Sequence, residues 1–448
     1  MVAIAPFRAL RYAPGVDLRK VTSPPHDVIG PDERDGFLAR DPRNIVHVVL
    51  GREEPGDAEA PASPNRYERA CVALETWQQK GVLVRDERPA FYMYEVRHGS
   101  PGARTAMRGF FCRVALDPSY HEIRRHEKTL AKKKSDRLRL LEATDCNTEP
   151  IWLLYRDERG WVDEVLSSNA FDELARFTDE EGSEHRLWRV DRDEAVLELI
   201  SQFEERTLVI ADGHHRYETA LKHYAATGRA EDGSILVCLV RDTDPGVRIE
   251  PTHRLVRGLP FDAPDAAVAA AGAWDAEPVD LPDDASAGPL LRDALGIDDR
   301  SCIVVGRHGT DLRAWILRLR EGHEVDEGRG ALDSLAVVRV HERLLRDAWG
   351  IGDEDVEGHL GFTQRHDEAV RAVLEGRCQL AVLLAPEPVH AVLDIASQGH
   401  LMPQKATYFV PKLRSGVVLG PLDEPPPRPW QELAGDGGRM EFRMPPLD

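Results

Sequence analysis

Cysteine is scarce in this chain, with six in 448 residues at positions 71, 112, 146, 238, 302 and 378 and no Cys-x-x-Cys pair. That spacing excludes a four-cysteine zinc cage and a dense disulfide framework, and leaves six small apolar residues in a reducing compartment. Long apolar runs are missing too. No stretch approaches the ~18 apolar residues of a membrane-spanning helix, and the first ten residues carry no signal-peptide core. A soluble, cytoplasmic protein with no membrane partner is expected. Positive charge is also in deficit: 58 Lys and Arg stand against 78 Asp and Glu, a net charge of −20. A body of that sign repels a phosphate backbone, which argues against general nucleic-acid binding. We find no internal repeat.

What is present is ordinary globular material, 42% hydrophobic and 30% charged, in a chain long enough for two or three cores. The apolar pattern predicts a strand over 45–50, a helix over 66–79 stopped by Gly81, and paired strands over 91–96 and 107–116. A helix over 135–143 and a strand over 151–155 follow. Amphipathic helices are predicted near 162–176 and 194–203, then a strand over 207–211, a helix over 217–224 and a strand over 235–240. Residues 262–288, rich in Ala, Asp and Pro, read as a surface connection. Beyond them come a hairpin over 301–306 and 314–319, a helix over 332–349, a strand over 380–384 and a proline-rich, loosely held tail after Pro421. The alternation indicates a mixed α/β (α+β) architecture in three regions, 1–120, 121–260 and 261–448.

The candidate centre is Asp212-Gly213-His214-His215-Arg216, set between an apolar strand and a helix. Such a junction presents backbone N–H groups and the positive end of a helix dipole, and Gly213 lets the chain turn or approach a ligand. His214, His215 and Arg216 add donors, and the arginine fork suits phosphate oxygens. Asp212 can hold a divalent metal. The plainer alternative is a capped helix, with Asp212 as N-cap and two surface histidines. Zinc bound by His214 and His215 is a weaker alternative, since adjacent residues seldom both ligate from a helix start.

The stretch Ala211-Asp212-Gly213-His214-His215-Arg216-Tyr217-Glu218-Thr219-Ala220 resembles the phosphate-binding motif of the ParB/sulfiredoxin superfamily, especially its free L-serine kinases. The order His126-Glu127, Pro150-Ile151, then Asp212 to Arg216 is similar to theirs. Other stretches resemble Domain of Unknown Function 1015 along nearly the whole chain. They are Ser23-Pro24-Pro25-His26-Asp27-Val28-Ile29, Asn44-Ile45-Val46-His47, Pro251-Thr252-His253-Arg254 and Met402-Pro403-Gln404-Lys405. The resemblance implies a ParB/sulfiredoxin-like module in 121–260, a nucleotide (ADP or ATP) with Mg²⁺ at Asp212, and Glu127, beside His126, as the base that takes a serine hydroxyl proton. Two departures stand out: roughly fifty residues separate the 151 and 207 strands, and His26 replaces the usual Tyr.

Each remaining candidate has a bland counterpart. Glu127 lies in a basic segment that would keep it ionised for general-base work, or pairs with Lys128 or Arg124 as a solvated acid. Lys132, Lys134 and Arg137 can clamp phosphates, or form a solvated basic face. Lys405, Thr407 and Lys412, between Pro403 and Pro411, can close a pocket over an anion, or simply lead into a strand. His253 and Arg254 can reach that pocket, or be a packed histidine and a surface arginine. The ligand expected from all this is a small phosphorylated molecule. A phosphotransferase on a small hydroxyl metabolite leads; a phosphoserine phosphatase and a non-enzymatic nucleotide-binding switch are the alternatives.

Overall fold

The computed structural model describes residues 1–54, 57, 65–100, 102–127, 131–168, 171–261, 263–280, 300–309, 311–353 and 355–429, with only the backbone of 131–135, 168 and 357. The chain divides into two units that interleave along the sequence. The first holds residues 1–125, 129–247 and 411–448, and the second holds 126–128 and 248–410. The sequence reading drew its boundaries at 120 and 260 instead.

The first unit is built on a nine-stranded sheet. Its strands are β1 (Ile4–Ala5), β2 (Phe91–His98), β3 (Thr105–Ala115), β4 (Ile123–Arg124), β5 (Ile151–Tyr155), β6 (Asp172–Thr178), β7 (Glu184–Val190), β8 (Leu208–Asp212) and β9 (Ser234–Arg241). The order is β4-β8-β5-β9-β3-β2-β7-β6, with β1 alongside β3. β5 runs antiparallel to β8 and parallel to β9. All five β5 residues are buried, which explains its unbroken apolar run. The helices used below are α1 (Arg66–Gln79), α2 (Ala131–Thr144), α3 (Trp161–Ser168), α4 (Asp193–Phe203) and α5 (His214–Thr227). In α4, Ala195, Val196, Leu199, Ile200 and Phe203 recur at helical spacing and are buried with β5, β8 and β9 residues in one core.

The second unit carries a six-stranded antiparallel sheet. Its strands are β10 (His253–Val256), β11 (Trp274–Val279), β12 (Ser301–His308), β13 (Asp311–Leu319), β14 (Leu360–Thr363) and β15 (Leu380–Leu383), in the order β11-β13-β12-β15-β10-β14. Its core gathers Ile303, Val305, Val370, Val373 and Leu383.

Four expectations need correction. Residues 45–50 form a helical turn, Val46–Val49, because the buried Asn44 side chain accepts the Val46 N–H at 2.9 Å and donates to Lys20 O at 2.6 Å. The helix expected to 176 ends at Ser168, and 172–178 is the edge strand β6. The supposed connection at 262–288 contains the helix Pro264–Ala269 and β11, while 281–299 lie outside the described residues. The single helix expected over 332–349 is three pieces, Ala331–Ser334, Ala336–Arg339 and the π-helical Val340–Arg346. Just before the proline-rich tail, Gly420–Pro421 pairs with Cys146–Asn147, and 430–448 lie outside the described residues. All six cysteines are free thiols, five of them buried. No helix of the described residues is long and apolar enough to cross a membrane.

Candidate functional site

The register between β8 and β5 slips between Ile210 and Asp212, a bulge that re-aims the end of the strand. Gly213 follows with φ +95° and occupies the N-cap of α5. Both its left-handed backbone and the space around it call for glycine, since a Cβ here would sit 3.1–3.2 Å from the Arg216 guanidinium. The first intrahelical bond runs from Tyr217 N–H to Gly213 O at 3.0 Å. Residues 214–216 therefore supply the opening turn, whose amides point out of the helix end. The helix starts three residues before the expected 217, and Gly213, not Asp212, takes the capping position.

Around this turn, opposite charges alternate. Asp212 accepts from Lys412 Nζ at 3.0 Å on Oδ1 and from Arg216 Nη2 at 2.9 Å on Oδ2. Arg216 Nη1 also donates to Pro150 O. The neighbouring Glu149 is buried. Its Oε1 accepts the His26 N–H at 2.9 Å and the Ser415 hydroxyl at 2.8 Å, and its Oε2 lies 2.6 Å from His26 Nδ1 and 3.5 Å from Arg137 Nη1. Burial alone would raise the Glu149 carboxyl, but His26, Arg216 and Arg137 hold it well below the usual carboxylate range. Burial likewise opposes ionisation of Asp212, and Lys412 and Arg216 outweigh it together, against the charge of Asp27. Burial penalises the Arg216 cation, yet Glu149, Asp212 and Asp27 hold it charged.

A cavity of about 40 Å³ adjoins the cluster, lined by Arg137, Leu141, Glu149, Arg216, Thr219 and Ile235 among others. It has room for a few waters and is far below the several hundred Å³ of a small-molecule pocket. A nucleotide held by the 212–216 turn would have to lie outside it. A larger cavity of about 270 Å³, lined by residues that include Arg11, Asp17, Arg176 and Phe177, contains none of the candidate residues.

Mg²⁺ at Asp212 does not fit this arrangement. The ion requires near-octahedral oxygen ligands, and both oxygens of Asp212 are taken by cationic donors. A dication there would face an ammonium and a guanidinium within contact distance.

Other candidates collect in the second unit. The His126 carbonyl accepts the Met402 N–H at 2.7 Å, and its Nε2 lies 2.9 Å from Thr407 Oγ1. Glu127 Oε1 accepts the Lys405 N–H at 2.7 Å, where Lys405 adopts φ +54°. It is thus the lysine's backbone that meets Glu127. Arg254 is fully buried, against the alternative of a surface arginine. It donates to Thr252 O and lies 3.5 Å from His341 Nε2. Burial pulls its pKa down to about 10, opposed by the charges of Glu127 and Glu387. His253, on the opposite face of β10, accepts the Leu384 N–H at 3.2 Å on Nδ1, which places the neutral ring's proton on Nε2. Burial, His366 and Arg254 push its pKa well below 6.5.

The structure thus brings Asp212, Gly213, Arg216 and Lys412 together in the first unit, with Arg137 joined through Glu149. In the second it brings together His126, Glu127, Thr407 and the Lys405 backbone, with Arg254 in the field of Glu127. His214 and His215 sit half-buried on the first turn of α5. Lys132 and Lys134 lie on α2, and their side chains, like residues 128–130, fall outside the described ones. Glu149 and Ser415 went unrecognised in the sequence. The one signal for Glu149 was its place directly before Pro150-Ile151.

A family model described as "Protein of unknown function (DUF1015)" matches residues 4–278. No curated protein matches. Solved structures with similarity include a conserved hypothetical protein from Pyrococcus furiosus, at 10% identity over 67% of this chain and 90% of that one, with a TM-score of 0.36. A free serine kinase in complex with AMP aligns at 11% identity over 67% and 87%, with a TM-score of 0.35. SbnI with a C-terminal truncation, from Staphylococcus aureus, aligns at 12% over 70% and 87%, with a TM-score of 0.36. At such low scores and identities these likenesses carry no weight for function.

Proposed function

Starting from the fact that this chain belongs to the DUF1015 family, we propose that it is a nucleotide-dependent phosphotransferase acting on a small hydroxyl metabolite, free L-serine being the first to test. The observation that carries this reading is the turn at Gly213. A left-handed glycine opens a helix of 14 residues, and two cations, Lys412 and Arg216, meet there on Asp212. Helix-start amides together with an ammonium and a guanidinium form a cradle for a phosphate group. Phosphoryl transfer asks a protein chiefly for position and charge neutralisation, which these groups provide.

In this reading a nucleotide phosphate takes the amides of residues 213–216, and Lys412 turns from Asp212 to the phosphate oxygens. The glycine keeps the approach clear of a side chain. Glu149 is the buried counter-charge that faces Arg216 and, with Asp136, Arg137 when the ligand leaves. Glu127, the base that the sequence likeness supplies, belongs to the second unit, where Lys405 N–H fixes one of its oxygens.

The experiment is transfer of label from nucleotide to L-serine by the purified full chain. Labelled O-phosphoserine is the expected product, and Glu127→Gln should abolish its formation while nucleotide binding persists. Full activity in that variant removes Glu127 from the chemistry. Phosphate release from phosphoserine without nucleotide makes the protein a phosphatase. Tight nucleotide binding with no turnover makes it a switch.

A further inference from the structure

A second cluster in the first unit has no part in the proposed reaction. Asp145 follows the end of α2, His223 lies on α5, and Asp232 belongs to the short helix Ala230–Gly233. One ligand atom from each lies within 4.8 Å of the others. The Asp232 carboxylate has no exposed surface, and it accepts from Thr227 Oγ1 at 2.5 Å. Arg229 bridges the two acids, with Nη2 at 2.8 Å from Asp232 Oδ1 and 2.7 Å from Asp145 Oδ1. Two carboxylates against one guanidinium leave one formal negative charge. His223 is only 5% exposed, and its Nε2 points at Asp232 Oδ2 from 3.3 Å without making a hydrogen bond. A buried imidazole nitrogen left unsatisfied beside a carboxylate is an uncommon arrangement, and one that a metal ion resolves.

We propose that Asp145, His223 and Asp232 form a divalent transition-metal site, zinc by preference, for which the Arg229 guanidinium is the competing occupant. Imidazole nitrogen and carboxylate oxygen are both donors that Zn²⁺ accepts, and water would complete the tetrahedron around the three. For an ion to enter, Arg229 must leave both acids, which it also meets through Nε at 2.9 Å from Asp232 Oδ2 and Nη1 at 3.3 Å from Asp145 Oδ2. Its side chain is 42% exposed and it follows Gly228, the left-handed C-cap of α5 at φ +64°. With the ion bound, three ligands from three elements tie the end of α2 to α5 and the turn after it. The assignment is independent of the phosphotransferase reading.

Zinc titration of the full chain, first stripped with chelator, against a competing chromophoric chelator tests it. Co²⁺ in place of Zn²⁺ gives a visible absorption band as a second readout. One Zn²⁺ per chain is expected. Asp145→Asn and His223→Gln should each weaken binding by at least about tenfold, and Arg229→Gln should strengthen it by about tenfold. Asp145→Asn alters a side chain that is 56% exposed, at a φ of 44° that asparagine accepts, so this variant reports even where His223→Gln fails to fold. Unchanged zinc affinity in Asp145→Asn overturns the assignment. So does the absence of zinc binding in both the wild type and Arg229→Gln.

Discussion

Lys412 and Asp212 stand 200 positions apart in the sequence and meet at 3.0 Å, ammonium against Oδ1, at the mouth of the turn that opens α5. The other oxygen of the same carboxylate belongs to Arg216. Asp212 is therefore a holder of two cations, and an arriving phosphate would compete with it for both.

Lys412→Met should consequently lower nucleotide affinity by about 10- to 100-fold, the equivalent of one charge-assisted contact of roughly 1.5–3 kcal/mol. Equilibrium binding of ADP and ATP measures it. Stability at pH 7 should fall as well, because Lys412 is the largest charge offsetting the burial of Asp212 and Arg216 alone remains against it and Asp27.

Gly213→Ala places a methyl against the Arg216 guanidinium and forces an alanine to φ +95°. A cost of about 1–3 kcal/mol in unfolding free energy is expected, together with loss of nucleotide binding. Urea titration and the same binding assay check both. A variant that binds nucleotide as well as the wild type would mean that neither the left-handed turn nor the placement of Arg216 matters to the ligand.

The acid limb of stability should lead back to Glu149. Its folded pKa lies below its ordinary value, so its contribution is fully present above about pH 4.5 and disappears as pH falls through the lower folded value. Glu149→Gln leaves Arg137 and Arg216 with only Asp136 and Asp212 as counter-charges, which should cost up to about 3–5 kcal/mol at pH 7. The variant should also lose stability less steeply below pH 4.5 than the wild type does. Urea unfolding at several pH values shows both effects.

His253 behaves as a base buried in neutral form. Its folded pKa lies well below 6.5, so the unfolded chain binds more protons as pH drops beneath 6.5 and the native state loses stability there. Its imidazole resonances in nuclear magnetic resonance should titrate with a midpoint well below 6.5. A titration midpoint near 6.5 would contradict the packing of β10 against Leu384 and His366.

Local pattern carried far in this chain. The limits of α1 were legible because Cys71, Leu74 and Trp77 recur at helical steps and Gly81 stops the run, and the structure adds a capping box of Asn65 and Glu68 at its start. The β2–β3 pair and the strand–glycine–helix junction at Gly213 were equally plain. Where the reading failed, tertiary context decided. The valine-rich stretch Val46–Val49, broken only by His47, fits a strand or a turn of helix, and the Asn44 side chain settles the matter in favour of the helix. In the candidate site, residues within one motif were visible, as were lysines in a proline-framed loop. The partner of each was not. Glu149 gives no periodic or compositional signal, and it acquires its role only when the fold surrounds it with His26, Arg137, Arg216 and Ser415.

Whether the turn at residues 213–216 holds a nucleotide phosphate is decided by a crystal structure of the full chain grown with ADP. A phosphate is expected within hydrogen-bonding distance of the amides after Gly213, with Lys412 moved from Asp212 onto its oxygens. ADP density elsewhere, with the Lys412–Asp212 and Arg216–Asp212 contacts intact, would contradict it.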